Sequence, residues 1–139
     1  MANQLIDLLN KVLEQEHACA IRYATHAAMV SGPYAEAVAA RFKEIAGDEI
    51  MHAEMLRDRI ITLGGVPSMQ VSADDLKHGD NLETMLNINI AEEKHAIKAY
   101  LAILKNIPAD NIILHRTIED IIRDEQEHLE ELENLVAGH

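Results

Sequence analysis

The chain contains one cysteine and no tryptophan, and its aromatic residues amount to three tyrosines and one phenylalanine. The single thiol, Cys19, excludes an internal disulfide framework and fits a reducing cytoplasm. So few aromatics beside so much alanine, leucine, isoleucine and glutamate favour helix over sheet. No apolar run approaches the roughly 20 residues that cross a bilayer, and the polar N-terminus lacks a signal-peptide pattern. A cytoplasmic protein with no membrane span is therefore expected. Basic residues are scarce, 12 against 24 acidic ones, for a formal charge of -12. That balance argues against nucleic acid, whose phosphates need a basic surface to neutralise them. It suits a protein that draws in cations, although a solvated acidic surface accounts equally well for most of the charges. At 139 residues the sequence predicts one domain over 1–139, large enough to bury about two-thirds of its unfolded surface.

Glycine and proline interrupt the chain at three places: Ser31-Gly32-Pro33, Gly64-Gly65-Val66-Pro67 and Asn106-Ile107-Pro108. Between these breaks the spacing predicts helices over 3–30, 34–63, 80–106 and 109–136. The first and third connections are short. The middle one, about 64–79, is long enough at roughly 3.3 Å per residue to run the length of a bundle. The expected fold is all-α: a four-helix bundle with one long crossover between the second and third helices.

Each predicted helix carries an apolar seam at alternating steps of three and four. The first runs Leu5, Leu9, Val12, Glu16, Cys19, Tyr23, His26, and the second Val38, Phe42, Ile45, Glu49, His52, Leu56, Ile60, Leu63. The third runs Leu82, Leu86, Asn89, Glu93, Ala96, Tyr100, Ile103, and the fourth Leu114, Ile118, Ile121, Glu125, His128, Leu132, Leu135. A glutamate breaks every seam near its middle. In the second and fourth helices a histidine follows three residues later, within Asp48-Glu49-Ile50-Met51-His52 and Asp124-Glu125-Gln126-Glu127-His128. Residues three apart share a helix face, so each pair offers a carboxylate and an imidazole to one point. A single Glu-x-x-His arises by chance in a chain this acidic. Two of them, each with a further glutamate on another seam, point to a dinuclear metal site.

The halves of the sequence also match. Leu13-Glu14-Gln15-Glu16 followed by Tyr23 is repeated in Ile90-Ala91-Glu92-Glu93 followed by Tyr100, as in a duplicated helical hairpin. Glu16 and Glu49 lie about equally far from the first turn, and Glu93 and Glu125 from the third. Antiparallel hairpins therefore bring all four to one height. Glu92 competes with Glu93, but the repeat and the spacing to Tyr100 favour Glu93. Burying an unpaired carboxylate costs several kcal/mol or more, and four together would repel. Two divalent cations would cancel about four negative charges, with His52 and His128 completing the shell. Oxygen with imidazole nitrogen suits iron or manganese, and zinc less exclusively. A glutamate from each of two helices plus Glu-x-x-His from each of the other two is the ligand set of di-iron carboxylate bundles. The sequence thus nominates Glu16, Glu49, His52, Glu93, Glu125 and His128 as ligands. Tyr23 and Tyr100 read as hydrogen-bond partners of ligand carboxylates or as core filler. Cys19 reads as a small core residue, and His17, His26, His78, His95, His115 and His139 as surface or packing.

With those residues in view, the chain resembles the bacterioferritins of the ferritin-like superfamily over nearly all its length, from Leu9-Asn10-Lys11 to about Leu135. The likeness rests on Glu16 to Tyr23, the two Asp-Glu-x-x-His segments, Gly65-Val66-Pro67-Ser68-Met69-Gln70 and Glu83-Thr84-Met85-Leu86. It implies a ferroxidase centre within each subunit. Glu16 and Glu93 would be terminal ligands, Glu49 and Glu125 would bridge two irons, and His52 and His128 would each cap one. Haem-binding bacterioferritins carry a ligating methionine directly after the second-helix glutamate, where this chain has Ile50, and Met51 comes one place late. No haem is expected. The chain also stops where its fourth helix stops, without the short fifth helix of 24-subunit cages, which leaves a twelve-subunit shell or a small oligomer open. The function expected is a ferroxidase and iron-storage protein, homo-oligomeric, oxidising Fe(II) with dioxygen or hydrogen peroxide. Its rivals are a rubrerythrin-like peroxidase or another di-metal oxidase without storage, and a bundle that holds zinc or calcium without redox chemistry.

Overall fold

The computed structural model describes residues 2–137. Four helices, α1 (Ala2–Met29), α2 (Ala35–Thr62), α3 (Leu82–Leu104) and α4 (Ile112–Ala137), pack as two hairpins, α1 with α2 and α3 with α4. Two starts fall later than the spacing suggests, each because an asparagine caps the helix. Asn81 is extended and its side-chain oxygen accepts from the Thr84 amide at 2.9 Å, so α3 begins at Leu82. Asn111 Oδ1 accepts from the Leu114 amide at 3.2 Å, leaving 108–111 as a turn. The second helix ends where Gly64 takes φ +86, a conformation that costs glycine nothing. A Cβ on the next residue, Gly65, would stand 2.7 Å from Ile6 Cγ2, so the crossover leaves α2 in close contact with α1.

The four seams face inward as their spacing requires, with only Leu63, Leu82 and Leu135 half-buried rather than buried. The apolar core is divided in two. One cluster gathers around Leu9, Leu56, Tyr100 and Ile118, the other around Tyr23, Phe42, Ile45 and Leu86. Between them lies a layer of glutamate and histidine.

The crossover lies along α1 and is pinned to it at successive turns. Asn10 bonds the Val66 carbonyl at 3.1 Å and the Ser68 amide at 2.8 Å, and Glu14 accepts from the Ser68 hydroxyl at 2.6 Å. Farther along, His17 Nδ1 lies 2.7 Å from the Gln70 carbonyl, Arg22 Nη1 donates to the Asp75 carbonyl at 2.8 Å, and His26 Nε2 meets the Lys77 carbonyl at 2.7 Å. Rising positions on α1 meet rising positions on the strap, so the strap runs parallel to the helix. His17 and His26, expected only as surface or packing residues, thus hold the crossover. His78 and His95 are exposed, His115 is half-buried and His139 lies outside the described residues.

Arg22 is 2% exposed. A buried cation needs compensation. Its Nε donates to Asn89 Oδ1 at 2.8 Å, and Nη1 lies 3.9 Å from Glu92 Oε2, which also pairs with Lys77 Nζ through its other oxygen at 2.6 Å. Arg22 therefore ties α1, the strap and α3 together. Arg22→Ala should lower the free energy of unfolding by about 3–5 kcal/mol, the usual cost of breaking a buried charge network. Urea denaturation measures this, and a loss below about 1 kcal/mol would show the clamp to be dispensable.

Candidate metal centre

Each seam glutamate stands at the middle of its helix: Glu16 in α1, Glu49 in α2, Glu93 in α3 and Glu125 in α4. Because hairpin partners run antiparallel from short turns, the four midpoints coincide in height. The two histidines follow one turn later on α2 and α4. None of the six residues is more than 2% exposed.

The structure brings all six together. Donor atoms of Glu16, Glu49, His52 and Glu125 lie within 4.8 Å of one another, and so do those of Glu93, Glu125 and His128. Glu125 belongs to both groups. Glu49 Oε1 stands between the imidazoles, 3.3 Å from His52 Nδ1 and 3.7 Å from His128 Nδ1. Glu93 faces this cluster while its neighbour Glu92 turns to Lys77 and Arg22. Among the described residues no lysine or arginine pairs with Glu16, Glu49, Glu93 or Glu125. Both oxygens of Glu49, both of Glu125 and Nδ1 of His128 are buried without a hydrogen-bond partner. Such orphans are rare in folded proteins and costly. Oxygen and imidazole donors left unsatisfied around one point are what a pair of hard or borderline cations would fill, so this donor set fits iron, manganese or zinc.

Of the two tyrosines, Tyr23 donates to Glu93 Oε2 at 2.8 Å. The Tyr100 hydroxyl is buried and stands close enough to Glu16 to favour its charged carboxylate, and Glu16 Oε2 also lies 3.0 Å from His52 Nδ1. Cys19 is a buried core residue, as expected, with Arg22 Nη2 at 3.4 Å from its sulfur.

Two residues escaped the sequence reading. Asp124 Oδ2 lies 2.8 Å from His52 Nε2, and Asp48 Oδ2 lies 2.9 Å from His128 Nε2. Each aspartate holds the histidine of the opposite helix. An acceptor at Nε2 fixes the proton there and turns the Nδ1 lone pair into the cluster. The signal was present: an aspartate precedes the glutamate in both Glu-x-x-His segments. The sequence could not show that the pairing crosses between helices.

Burial dominates the electrostatics. It raises the Glu16 carboxyl to about 7, with Glu49 adding to the effect, and Glu49 to about 8, with Glu125 adding. Glu93 and Glu125 are raised by the same burial, helped by Glu49 and by Glu93 respectively. At His128 burial opposes a charged ring, but the carboxylates of Glu125 and Glu93 prevail and lift it to about 11. His52 is likewise pushed far up by Glu125, Glu16 and Glu49 against the cost of burial. Without metal the cluster keeps protons, because protons are then its only cations.

The chain is similar to known proteins over nearly its whole length. The family model described as "Ferritin: Ferritin-like domain" matches residues 6–138. Bacterioferritin of Desulfovibrio desulfuricans is 34% identical over 134 residues, covering 95% of this chain and 74% of the relative, and bacterioferritin of Mycobacterium leprae is 27% identical, covering 96% and 84%. Among solved structures, a ferritin-like diiron-carboxylate protein of Bacillus anthracis superposes with TM-score 0.89 at 33% identity, covering 97% of this chain and 96% of that one. The dodecameric thioferritin of Bacteroides fragilis gives 0.92 at 27% identity, covering 99% and 87%. The Desulfovibrio desulfuricans bacterioferritin, described with a diiron site in different catalytic states, gives 0.87 at 31% identity, covering 98% and 80%.

The raised carboxyl and imidazole groups give the metal-free protein a definite pH dependence. A raised pKa means that the folded state binds more protons than the unfolded one, so stability falls as pH rises through the folded value. Between pH 7 and 9, across the Glu49 value of about 8 and below the His128 value of about 11, the metal-free protein should lose thermal stability. Saturating Zn(II) should raise the melting temperature and shrink that loss. A metal-free melting temperature that is flat over this interval would contradict the charge balance described.

Proposed function

The chain belongs to the ferritin-like family, and from that footing we propose that it is a ferroxidase. In this reading it binds two iron ions per subunit between its four helices and oxidises Fe(II) to Fe(III) at the expense of dioxygen or hydrogen peroxide. The observation that carries the reading is the set of unpartnered buried oxygens on Glu49 and Glu125 at the centre of the bundle. Bound iron would supply the one-electron steps that join Fe(II) oxidation to reduction of the oxidant.

The residues of the chain set the conditions. Glu125, common to the two donor groups, and Glu49, whose Oε1 stands between the two imidazoles, would bridge the ions, Glu16 and Glu93 would be terminal ligands, and Nδ1 of His52 and His128 would cap one ion each. Four carboxylates favour the more highly charged Fe(III), since anionic oxygen donors stabilise charge more strongly as it rises. Asp48 and Asp124 would hold both imidazoles in the ligating tautomer. The apolar clusters above and below exclude bulk water from the layer. Asp48 and Asp124 are half-buried, so protons leaving the histidines reach solvent through them.

We further place this activity in a single-domain, cytoplasmic homo-oligomer that stores ferric iron. The dodecameric state of the Bacteroides fragilis relative supports an assembly, and the bacterioferritin relatives support storage. In a peroxidase of rubrerythrin type, iron would turn over without accumulating. Native mass after iron loading, with iron counted per subunit, separates the two.

Glu49→Ala combined with Glu125→Ala should slow Fe(II) oxidation by at least about 100-fold, because both central carboxylates are lost. Stopped-flow absorbance after mixing with Fe(II) and air measures it. Turnover within a few-fold of the unsubstituted protein would sink the proposal.

A further inference from the structure

His26 grips the strap in a way that leaves its ring no place for a second proton. The imidazole is fully buried, although none of the strap residues 71–77 is. Neighbours with fixed roles force its state. Arg22 Nε can only donate, and it meets Asn89 Oδ1 at 2.8 Å. The Met85 carbonyl can only accept, and it meets Asn89 Nδ2 at 2.8 Å. The Asn89 amide therefore cannot turn over. Its Nδ2 also stands 3.0 Å from His26 Nδ1, which has to accept and so carries no proton. The ring proton sits on Nε2, which donates to the Lys77 carbonyl at 2.7 Å.

We infer that His26 is a proton-operated latch: in mild acid its ring takes a second proton, and the end of the strap, residues 72–77, comes away from α1 and α3. A proton on Nδ1 would set two donors 3.0 Å apart, which gives up the Asn89 contact. The groups facing the ring offer the new charge no relief. Arg22 of α1 is itself a cation, the strap brings Lys77 and His78, and α2 presents the uncharged ring of Phe42. From α3 come neutral Asn89 and, one bond farther out, Glu92. That carboxylate is already paired with Lys77 Nζ at 2.6 Å and lies 3.9 Å from Arg22 Nη1. Burial, aided by Arg22 and opposed by the bond to Lys77, accordingly holds the imidazole below its ordinary range. A closed latch thus binds fewer protons than an open one, so closure weakens as pH falls below the ordinary imidazole value. The strap yields before the helices do, because hydrogen bonds at the surface hold it there and no buried residue anchors its short 3-10 turn.

Amide hydrogen exchange of the full chain, read residue by residue by NMR, tests this. Three strap amides report on closure: Ser72 donates to the Glu14 carbonyl at 3.0 Å, Asp75 to that of Ser72 at 3.1 Å and Leu76 to that of Ala73 at 3.2 Å. Their protection factors should fall by about five- to tenfold from about pH 7.5 to about pH 5.5. That ratio follows if the imidazole regains its ordinary value of about 6.5 when the latch opens. In His26→Gln, whose amide can donate to Lys77 and accept from Asn89 but takes up no proton, protection should stay level. Constant protection in the unsubstituted chain, or an equal fall in His26→Gln, overturns the latch. If that variant does not fold, the imidazole nitrogen shifts of the unsubstituted chain decide. A bare Nδ1 at about pH 7.5 that gains its proton over the interval where protection is lost is the expected result, and a proton already on Nδ1 at about pH 7.5 overturns it.

Discussion

Four carboxylates buried at one height inside a helical bundle are the constraint from which the rest of this structure follows. Desolvation of even one unpaired carboxylate costs several kcal/mol, and neighbours of like charge add to it. The protein meets that cost in part with protons, which is why Glu16, Glu49 and both histidines are pushed upward. It does not meet it with lysine or arginine at the cluster. The remaining orphaned oxygens define a place for cations, and the surrounding scaffold keeps that place from collapsing.

The scaffold works at two levels. Short turns fix the hairpins so that helix midpoints align, and the apolar clusters on either side hold the layer rigid. The strap then breaks the symmetry of the repeat. By lying along α1 it brings the Asp75 and Lys77 carbonyls to Arg22 and His26, which gives one end of the bundle a buried polar network with no counterpart at the other.

Much of this was legible in the residues. The three- and four-residue steps placed the helices to within a few residues, and the glutamates interrupting each seam located the layer where the structure has it. Helix starts at α3 and α4 were misplaced because a capping asparagine looks like any polar residue until its side chain is seen to accept from an amide. Arg22 was harder still: an arginine beside a seam reads as solvent-facing unless the strap that buries it is known. The cross-helix grip of Asp48 on His128 and Asp124 on His52 depends on the rotation of one helix against another, which spacing along a single helix does not encode.

Crystals grown anaerobically with Fe(II), with diffraction collected at the iron absorption edge, bear most directly on the centre. Two anomalous peaks should lie between the helices, roughly 3.5–4 Å apart as in other two-metal sites, surrounded by Glu16, Glu49, His52, Glu93, Glu125 and His128. Iron found only on surface carboxylates, with the six side chains unchanged and no peak among them, would contradict it.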